Sequence, residues 1–521
     1  MVDHSCRKAG WGSTAARIVV ATPDRPTLDC GVGAFEPIHI VGHVFGLRRK
    51  SGADRSNPWA STRPLLQFDK RDYWTIRDAF EGTQIFGSPG SGKTSGSGAA
   101  MARSMLAAGF GALVLTVKED EARTWEGYCA DTGRSADFIR LDRSLDHRLN
   151  FIAYEATKPG GTTENLVDLI VQVLEARSRG NAGERFWSDS LRTLLRNAVD
   201  LLRLADEELS LSTITGVISM APRDPESIRD PDWLSADPFG RLVSRVRDRV
   251  ERDPAVAVTA HRTLEYWFVE FLQMPDRTRG SVTAMFSSIA DGFLRGELHE
   301  LFCTETTVRP EDTFDGAVLV LDLPQKVYTE LALIAQTAIK LVWQRAVESR
   351  STAGDATRPV FLWADEAQEF VTPQDAVFQR TARSSRAATV YLTQNLPNYV
   401  AAFGGDGRSQ AESLIGNLGT KIFHANSDVV TNQWAEDTIA RDWQTNTSST
   451  QGSGGERRDS SSLTTSRSLD PLVPASTFAR LATGGPENRW RVEGIVFKAG
   501  RLWKATNANH IRCQFTQEID R

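Results

Sequence analysis

Gly87-Ser88-Pro89-Gly90-Ser91-Gly92-Lys93-Thr94 decides the fold of this chain. The stretch meets every fixed position of G-x-x-x-x-G-K-[ST], and its surroundings are those the pattern requires. Thr83-Gln84-Ile85-Phe86 ahead of it reads as a short strand, and Ser95 to Leu106 behind it reads as a helix. Glycines in such a loop let backbone N–H groups turn inward and hold phosphate oxygens at a helix N-terminus. All eight residues are candidate nucleotide-binding positions. Lys93 is placed to reach the β- and γ-phosphates, and the Thr94 hydroxyl to hold Mg²⁺. A flexible Gly/Ser loop with a chance lysine would account for the residues but not for the strand and helix around them.

A second stretch adds chemistry to binding. Val360-Phe361-Leu362-Trp363-Ala364-Asp365-Glu366 is an apolar run that ends in two acids. A buried strand delivering carboxylates to its C-terminal edge has this form. Asp365 is the candidate metal ligand. Glu366 is the candidate base that accepts a proton from the attacking water or orients it. Taken alone, the run also fits a core strand followed by an acidic helix start. Its position after a phosphate loop favours the catalytic reading.

The rest of the chain sets the frame. At 521 residues it is long enough for two or three domains. The formal net charge of −5 carries no overall nucleic-acid signature, so any DNA surface is a local patch. Five cysteines, Cys6, Cys30, Cys129, Cys303 and Cys513, lie far apart without a C-x-x-C, which argues for a reducing compartment and against a disulfide framework or a zinc site. His39 and His43 lack the glutamate of a metalloprotease motif and read as structural. No apolar run approaches the ~20 residues of a spanning helix, and no signal peptide is visible at Met1. The expectation is a cytoplasmic protein that reaches a membrane only through a partner.

Along the chain, residues 1–80 read as a small β-containing module, with Arg17-Ile18-Val19-Val20 as one short run. Strands at Ala112–Thr116 and Phe138–Leu141 follow the loop, and their alternation with helices predicts a doubly wound, mostly parallel sheet. Residues 161–303 are helical in pattern. Trp187, Leu191, Leu194, Leu195, Ala198, Leu201 and Leu202 form one apolar stripe; Leu166, Ile170, Val173 and Leu174 form another, and Val282, Met285, Ile289 and Phe293 a third. These stripes predict core packing in an all-α insertion domain. Arg241, Arg245, Arg247, Arg249 and Arg252, interleaved with acids, read as a solvated helix face. The sheet resumes at Ala317–Leu321, a long helix covers Tyr328 to Glu348, and further strands fall at 388–392 and 421–424. The α/β nucleotide-binding domain thus spans 81–160 and 304–521. Within it, 444–468 is rich in Ser, Thr and Gly and reads as a flexible loop. Arg491–Phe497 and Arg501–Lys504 read as a closing hairpin.

Two further features lie near the acidic strand. Strand 388–392 ends in Thr393-Gln394-Asn395, where the Gln394 amide can contact a γ-phosphate or the attacking water. Upstream, Arg380, Arg383 and Arg386 are candidates for a finger that serves a neighbouring subunit's nucleotide.

Taken in order, these motifs resemble the type IV secretion coupling proteins of the TraG/TraD group, in the FtsK/HerA branch of P-loop ATPases. The matching pieces run from about Thr75 onward: the Gly87–Thr94 loop, Lys118 after the second strand, Phe186-Trp187 opening a helix, Asp365-Glu366-Ala367, Arg383 and Gln394 at family spacing, Asn417–Ile422 with Asp428 and Thr431, and Phe478-Ala479-Arg480-Leu481. Two departures stand out: no run in the sequence is expected to form the family's N-terminal membrane anchor, and Thr116 stands where the family tends to have Asp. The resemblance implies a RecA-like fold and a homo-hexameric ring. It implies ATP and Mg²⁺ as cofactors, with hydrolysis at subunit interfaces driving DNA, single-stranded as the first choice, or relaxase or effector cargo toward a secretion channel. It also implies Glu366 as base, Gln394 as γ-phosphate sensor and Arg383 as first-choice finger, with residues 161–303 recognising cargo. A HerA/FtsK-type DNA translocase and a slowly turning nucleotide-gated scaffold are the alternatives. A membrane-anchor protein is a further expected partner.

Overall fold

The computed structural model describes residues 57–517 apart from 159, 176–183, 227, 229–231, 353 and 453–459. The expected strand at 17–20, Cys6, Cys30, His39 and His43 lie outside the described residues. The chain divides into two compact units. The first holds residues up to Ala79, Thr83–Ala108 and Gly419 onward; the second holds Phe80–Gly82 and Gly109–Leu418.

The first unit opens with an antiparallel pair, β1 (Pro64–Asp69) and β2 (Asp72–Thr75). Strand β3 (Thr83–Phe86) is buried at all four residues and leads into the glycine-rich loop. The expected helix after that loop begins instead with a wide turn, Thr94–Gly98, and becomes α-helical over Ala99–Ala107.

The second unit is a five-stranded parallel sheet with helices. Its strands are β4 (Gly111–Leu115), β5 (Phe138–Leu141), β6 (Val318–Leu321), β7 (Val360–Ala364) and β8 (Ala387–Thr393), in the order β8-β7-β4-β6-β5. Strands β4, β6, β7 and β8 are buried throughout, as their apolar runs require when helices cover both faces of a sheet. Register aligns Leu115 with Ala364 across β4 and β7. The residues that follow each strand, Thr116–Lys118 and Asp365-Glu366, therefore emerge side by side at the carboxyl edge.

Between β5 and β6 the described chain is helical, from Phe151–Thr157 to Gly296–Phe302. Leu191, Leu194, Leu195, Ala198, Leu201 and Leu202 are buried along one face of helix Glu184–Leu204. In helix Asp276–Phe293 the buried set is Val282, Phe286, Ala290 and Phe293; Met285 is 37% exposed. Val282 and Phe293 are buried as expected, but between them Phe286 and Ala290 fill the core in place of Met285 and Ile289. Arg245 pairs with Glu207, and Arg249 and Arg252 with Asp206, so these three arginines of helix Pro238–Arg252 form ion pairs on a solvated face. Between β6 and β7, helix Gln325–Ser349 is broken near its start at Thr329 (φ 56°, ψ −140°).

The chain returns to the first unit with β9 (Thr420–Phe423), parallel to β3. Next come β10 (Arg441–Gly452) and β11 (Ser460–Pro471), which pair antiparallel over twelve rungs as a sheet of their own. For 444–452 and 460–468 this corrects the expectation of a flexible loop; 453–459 lie outside the described residues. Last come β12 (Arg491–Lys498) and β13 (His510–Thr516), with β12 antiparallel to both β13 and β9. Arg501–Lys504 is therefore not the hairpin's second strand. Trp503 is fully buried against the edge of Phe68, 5.5 Å between ring centroids, and this plug pushes the return strand out to His510.

Candidate nucleotide-binding site

In the first unit, the loop's shape follows from its glycines. Gly90 and Gly92 have φ of 74° and 80°, values that L side chains resist. A Cβ on Gly92 would stand 2.4 Å from Val492 Cγ2, whereas one on Gly90 would meet nothing within 4 Å. Gly92 is thus packed against β12 while Gly90 faces open space. Ser88 N–H donates to the Ala425 carbonyl (3.0 Å), and Ser91 N–H to the Ser88 carbonyl (3.0 Å). Ser91 Oγ is buried without a hydrogen-bond partner. Such an orphaned donor is costly unless a ligand satisfies it, and in this loop a phosphate oxygen fits. Lys93 is buried, and Thr94 opens the following turn.

That turn is fixed from below by His424. Its Nδ1–H donates to the Glu493 carbonyl (2.7 Å), which leaves Nε2 to accept from Ser97 Oγ (2.7 Å). Burial, with the nearby Lys93 charge, holds the imidazole neutral and pushes its pKa down to about 4. Sequence reasoning placed this histidine only as a strand residue.

In the second unit, Asp365 and Glu366 leave β7 nearly buried, at 3% and 8% exposure. Glu366 takes a left-handed conformation (φ 53°), rare for a residue with a side chain. Its N–H donates to Asp365 Oδ1 (2.9 Å). The turn aims the Glu366 carboxylate at three groups. Gln368 Nε2 donates to Oε2 (3.0 Å), Gln394 Nε2 reaches Oε1 and Oε2 (3.4 and 3.3 Å), and Lys118 Nζ stands 3.8 Å from Oε1. Gln368 is itself fixed by Thr393 Oγ1 (2.7 Å).

Glu121 is the residue that sequence reasoning missed. Its Oε2 accepts from Val117 N–H (2.8 Å), and Lys118 Nζ lies 3.7 Å from Oε1. Burial, and then the Asp365 charge, push its pKa up to about 7. Burial also pulls on Lys118, but Asp365, Glu121 and Glu366 together outweigh it and raise its pKa. The available signal was the polar run Lys118-Glu119-Asp120-Glu121 directly after a buried strand, the position at which open sheets present functional groups.

The three arginines separate. Arg380 and Arg383 are exposed, Arg383 just past helix Pro373–Ala382 and 3.8 Å from Glu81 Oε1. Arg386 is buried, with φ 51°; its Nε donates to the Thr357 carbonyl (2.9 Å), and its guanidinium lies over the Phe80 ring. It is a structural cation, not a surface residue.

Residues 359–483 match the family described as the TraM recognition site of TraD and TraG. A search of curated proteins found no match. Among solved structures, the chain is similar to the bacterial conjugative coupling protein TrwBΔN70 in its unbound monoclinic form (14% identity, TM-score 0.56, 85% of this chain and 86% of that one). It is also similar to plasmid coupling protein TrwB with the non-hydrolysable GTP analogue GDPNP (14%, 0.57, 89% and 90%). A third match is the same protein with ADP and Mg²⁺ (14%, 0.57, 86% and 87%). At these identities the likeness is one of fold. The resemblance read from the motifs thus appears again in a matched segment and in the architecture of most of the chain.

Proposed function

We propose that this chain, which shares the α/β fold of the conjugative coupling proteins, is an ATP-hydrolysing motor that recruits DNA or nucleoprotein cargo and moves it toward a secretion channel. The observation that carries the reading is the setting of Glu366. A strained, nearly buried carboxylate at the end of a parallel strand is held by Gln394, Gln368 and Lys118, in a chain that also carries a phosphate loop with an orphaned hydroxyl.

The roles follow from the chemistry of each group. The Gly87–Thr94 backbone and Ser91 cradle the phosphates, and Lys93 neutralises charge on the β- and γ-groups. Thr94 and Asp365 hold Mg²⁺, which offsets charge developing on the phosphates when bound. Glu366 accepts the proton of the attacking water. Gln394 is hydrogen-bonded to that carboxylate and reports the γ-phosphate to β8. Arg383, exposed and free to reach outward from its helix, serves the neighbouring subunit of a homo-hexamer. Residues 161–303 act as the cargo-recognition domain and 1–80 as a small accessory module. No helix among the described residues is long and apolar enough to cross a membrane; membrane contact through a partner protein is part of the proposal.

Glu366→Gln tests the assignment. It preserves the loop, so nucleotide affinity should hold while turnover falls by about 10²-fold or more, as for loss of a positioned base. Wild-type turnover in this variant would remove Glu366 from the mechanism. ATPase rates with and without single- and double-stranded DNA separate a motor, whose rate rises, from a nucleotide-gated scaffold, whose rate does not.

A further inference from the structure

The β10–β11 ribbon plays no part in the site described above. Twelve rungs at about 3.4 Å each make a two-stranded arm roughly 40 Å long. Such a ribbon alone in water is marginally stable at best, and both of its outer edges present backbone donors and acceptors. Natural edges are commonly protected by Lys, Pro or a bulge. Here the strands contain no lysine, their only proline is the terminal Pro471, and the register is unbroken.

Cross-strand partners share a face, so the pairs Trp443–Leu469, Thr445–Arg467 and Thr447–Thr465 lie on one side. Leu463 shares that side by alternation. Its large apolar residues are solvent-facing: Trp443 is 59% exposed, Leu463 73% and Leu469 49%. The opposite side carries Asp442, Gln444, Ser466, Ser468 and Asp470. On one face of the ribbon three large apolar side chains therefore stand exposed among threonines and Arg467, whose guanidinium lies over the Trp443 ring.

We infer that a second copy of this chain occupies the ribbon's open edges, with the outer edge of β10 pairing against the outer edge of β11 in the next copy. The inference rests on the ring proposed above. Three observations favour this partner. The two strands carry two arginines and two aspartates, Arg441, Asp442, Arg467 and Asp470, so copies do not repel and phosphate backbones are not attracted. The two outer edges differ, and pairing one with the other keeps every strand antiparallel. The contact is heterologous, the kind that closes into a ring. Two strands from each copy then form a continuous collar with no exposed edge, with the Trp443 faces of neighbouring ribbons side by side.

The ribbon can be removed cleanly, because Leu472 N–H donates to the Ala440 carbonyl (3.1 Å) and the two ends already meet. Replacing 441–471 by a short Gly/Ser linker in the full chain should keep nucleotide binding while the assembled fraction, read by mass photometry with a non-hydrolysable ATP analogue, falls at least tenfold. Cross-linking tests the edges directly. In a Cys6→Ser/Cys30→Ser background, Thr447→Cys chains are mixed with Leu463→Cys, Thr465→Cys or Arg467→Cys chains and oxidised. At least one mixture should give a covalent dimer, and Thr447→Cys alone should not. Rings that form without any mixed cross-link overturn the inference and spare the ring. Self-linking of Thr447→Cys would mean a two-fold, face-to-face contact and also overturns it. Wild-type chains that never assemble overturn both. Intact rings of ribbon-less chains that have lost affinity for a single-stranded oligonucleotide would make the ribbon a nucleic-acid arm and refute self-pairing.

Discussion

His424 ties the phosphate loop's following turn to β12, and it does so only while neutral. Its pKa is about 4 in the folded chain and about 6.5 in an unfolded one. Between those values the unfolded chain binds a proton that the folded chain refuses. The stabilisation is therefore complete above pH 6.5 and is lost as pH falls through 4, with roughly 3 kcal/mol at stake. His424→Gln keeps a donor for Glu493 and an acceptor for Ser97 but cannot titrate. Its Tm should be lower near neutral pH and flatter between pH 6.5 and 4.5 than that of the wild type. An acid limb of unchanged slope would place the pH sensitivity elsewhere. At this scale the sequence was legible where a residue type is demanded by its motif, as at Gly92, Lys93 and Asp365. It was not legible where a role depends on what packs nearby. His424 and Glu121 acquire theirs from burial beside Lys93 and Asp365, and Arg386 loses its expected exposure to Phe80 and Thr357.

Helix Pro373–Ala382, which precedes Arg383, hangs on a polar network buried in the second unit. Lys340 Nζ, fully buried, donates to the Phe370 carbonyl (2.6 Å) and to Asp375. The other Asp375 oxygen accepts from Gln344 Nε2 (2.8 Å) and Tyr391 Oη (2.7 Å), and Thr372 N–H caps the helix through Asp375 Oδ2 (2.7 Å). Burial pulls the Lys340 pKa down, and only the facing carboxylate opposes it. Asp375→Ala strands the lysine, and breaking such a pair costs about 3–5 kcal/mol. Lys340→Met/Asp375→Ala removes both charges and should recover part of the lost Tm; a double variant no more stable than Asp375→Ala would show that the capping bonds, not the pair, matter. Elements with continuous apolar runs, β4, β6, β7 and β8, could be read directly from the chain because both faces are buried. The β10–β11 ribbon could not, since Ser and Thr on both strands give no alternation. The last hairpin was misplaced because Lys498-Ala499-Gly500 looks like a turn, while a buried Trp503 decides where the strand returns.

At the scale of the assembly, the question is whether each nucleotide is served by one chain or two. Arg383 is exposed, and its ion pair among the described residues is a long, partly solvated contact to Glu81 that it can leave. Arg386 is buried with its guanidinium over the Phe80 ring, which narrows the proposed finger to Arg383 or Arg380. A chain with Lys93 in its own loop gains most from a second cation supplied by a neighbour as the ring closes. Arg383→Ala should then bind ATP nearly normally and hydrolyse it about 10³-fold more slowly, the scale of a lost arginine finger. Lys93→Ala should be inactive through loss of phosphate binding. Each variant retains what the other lacks, so mixed rings contain interfaces in which an intact loop faces an intact arginine, and partial activity should return on mixing. Activity that stays absent in rings shown to contain both variants would mean that Arg383 acts within its own chain, whereas near-normal activity of Arg383→Ala alone would pass the role to Arg380. Repeating the mixture with Arg380→Ala in place of Arg383→Ala tests that second outcome.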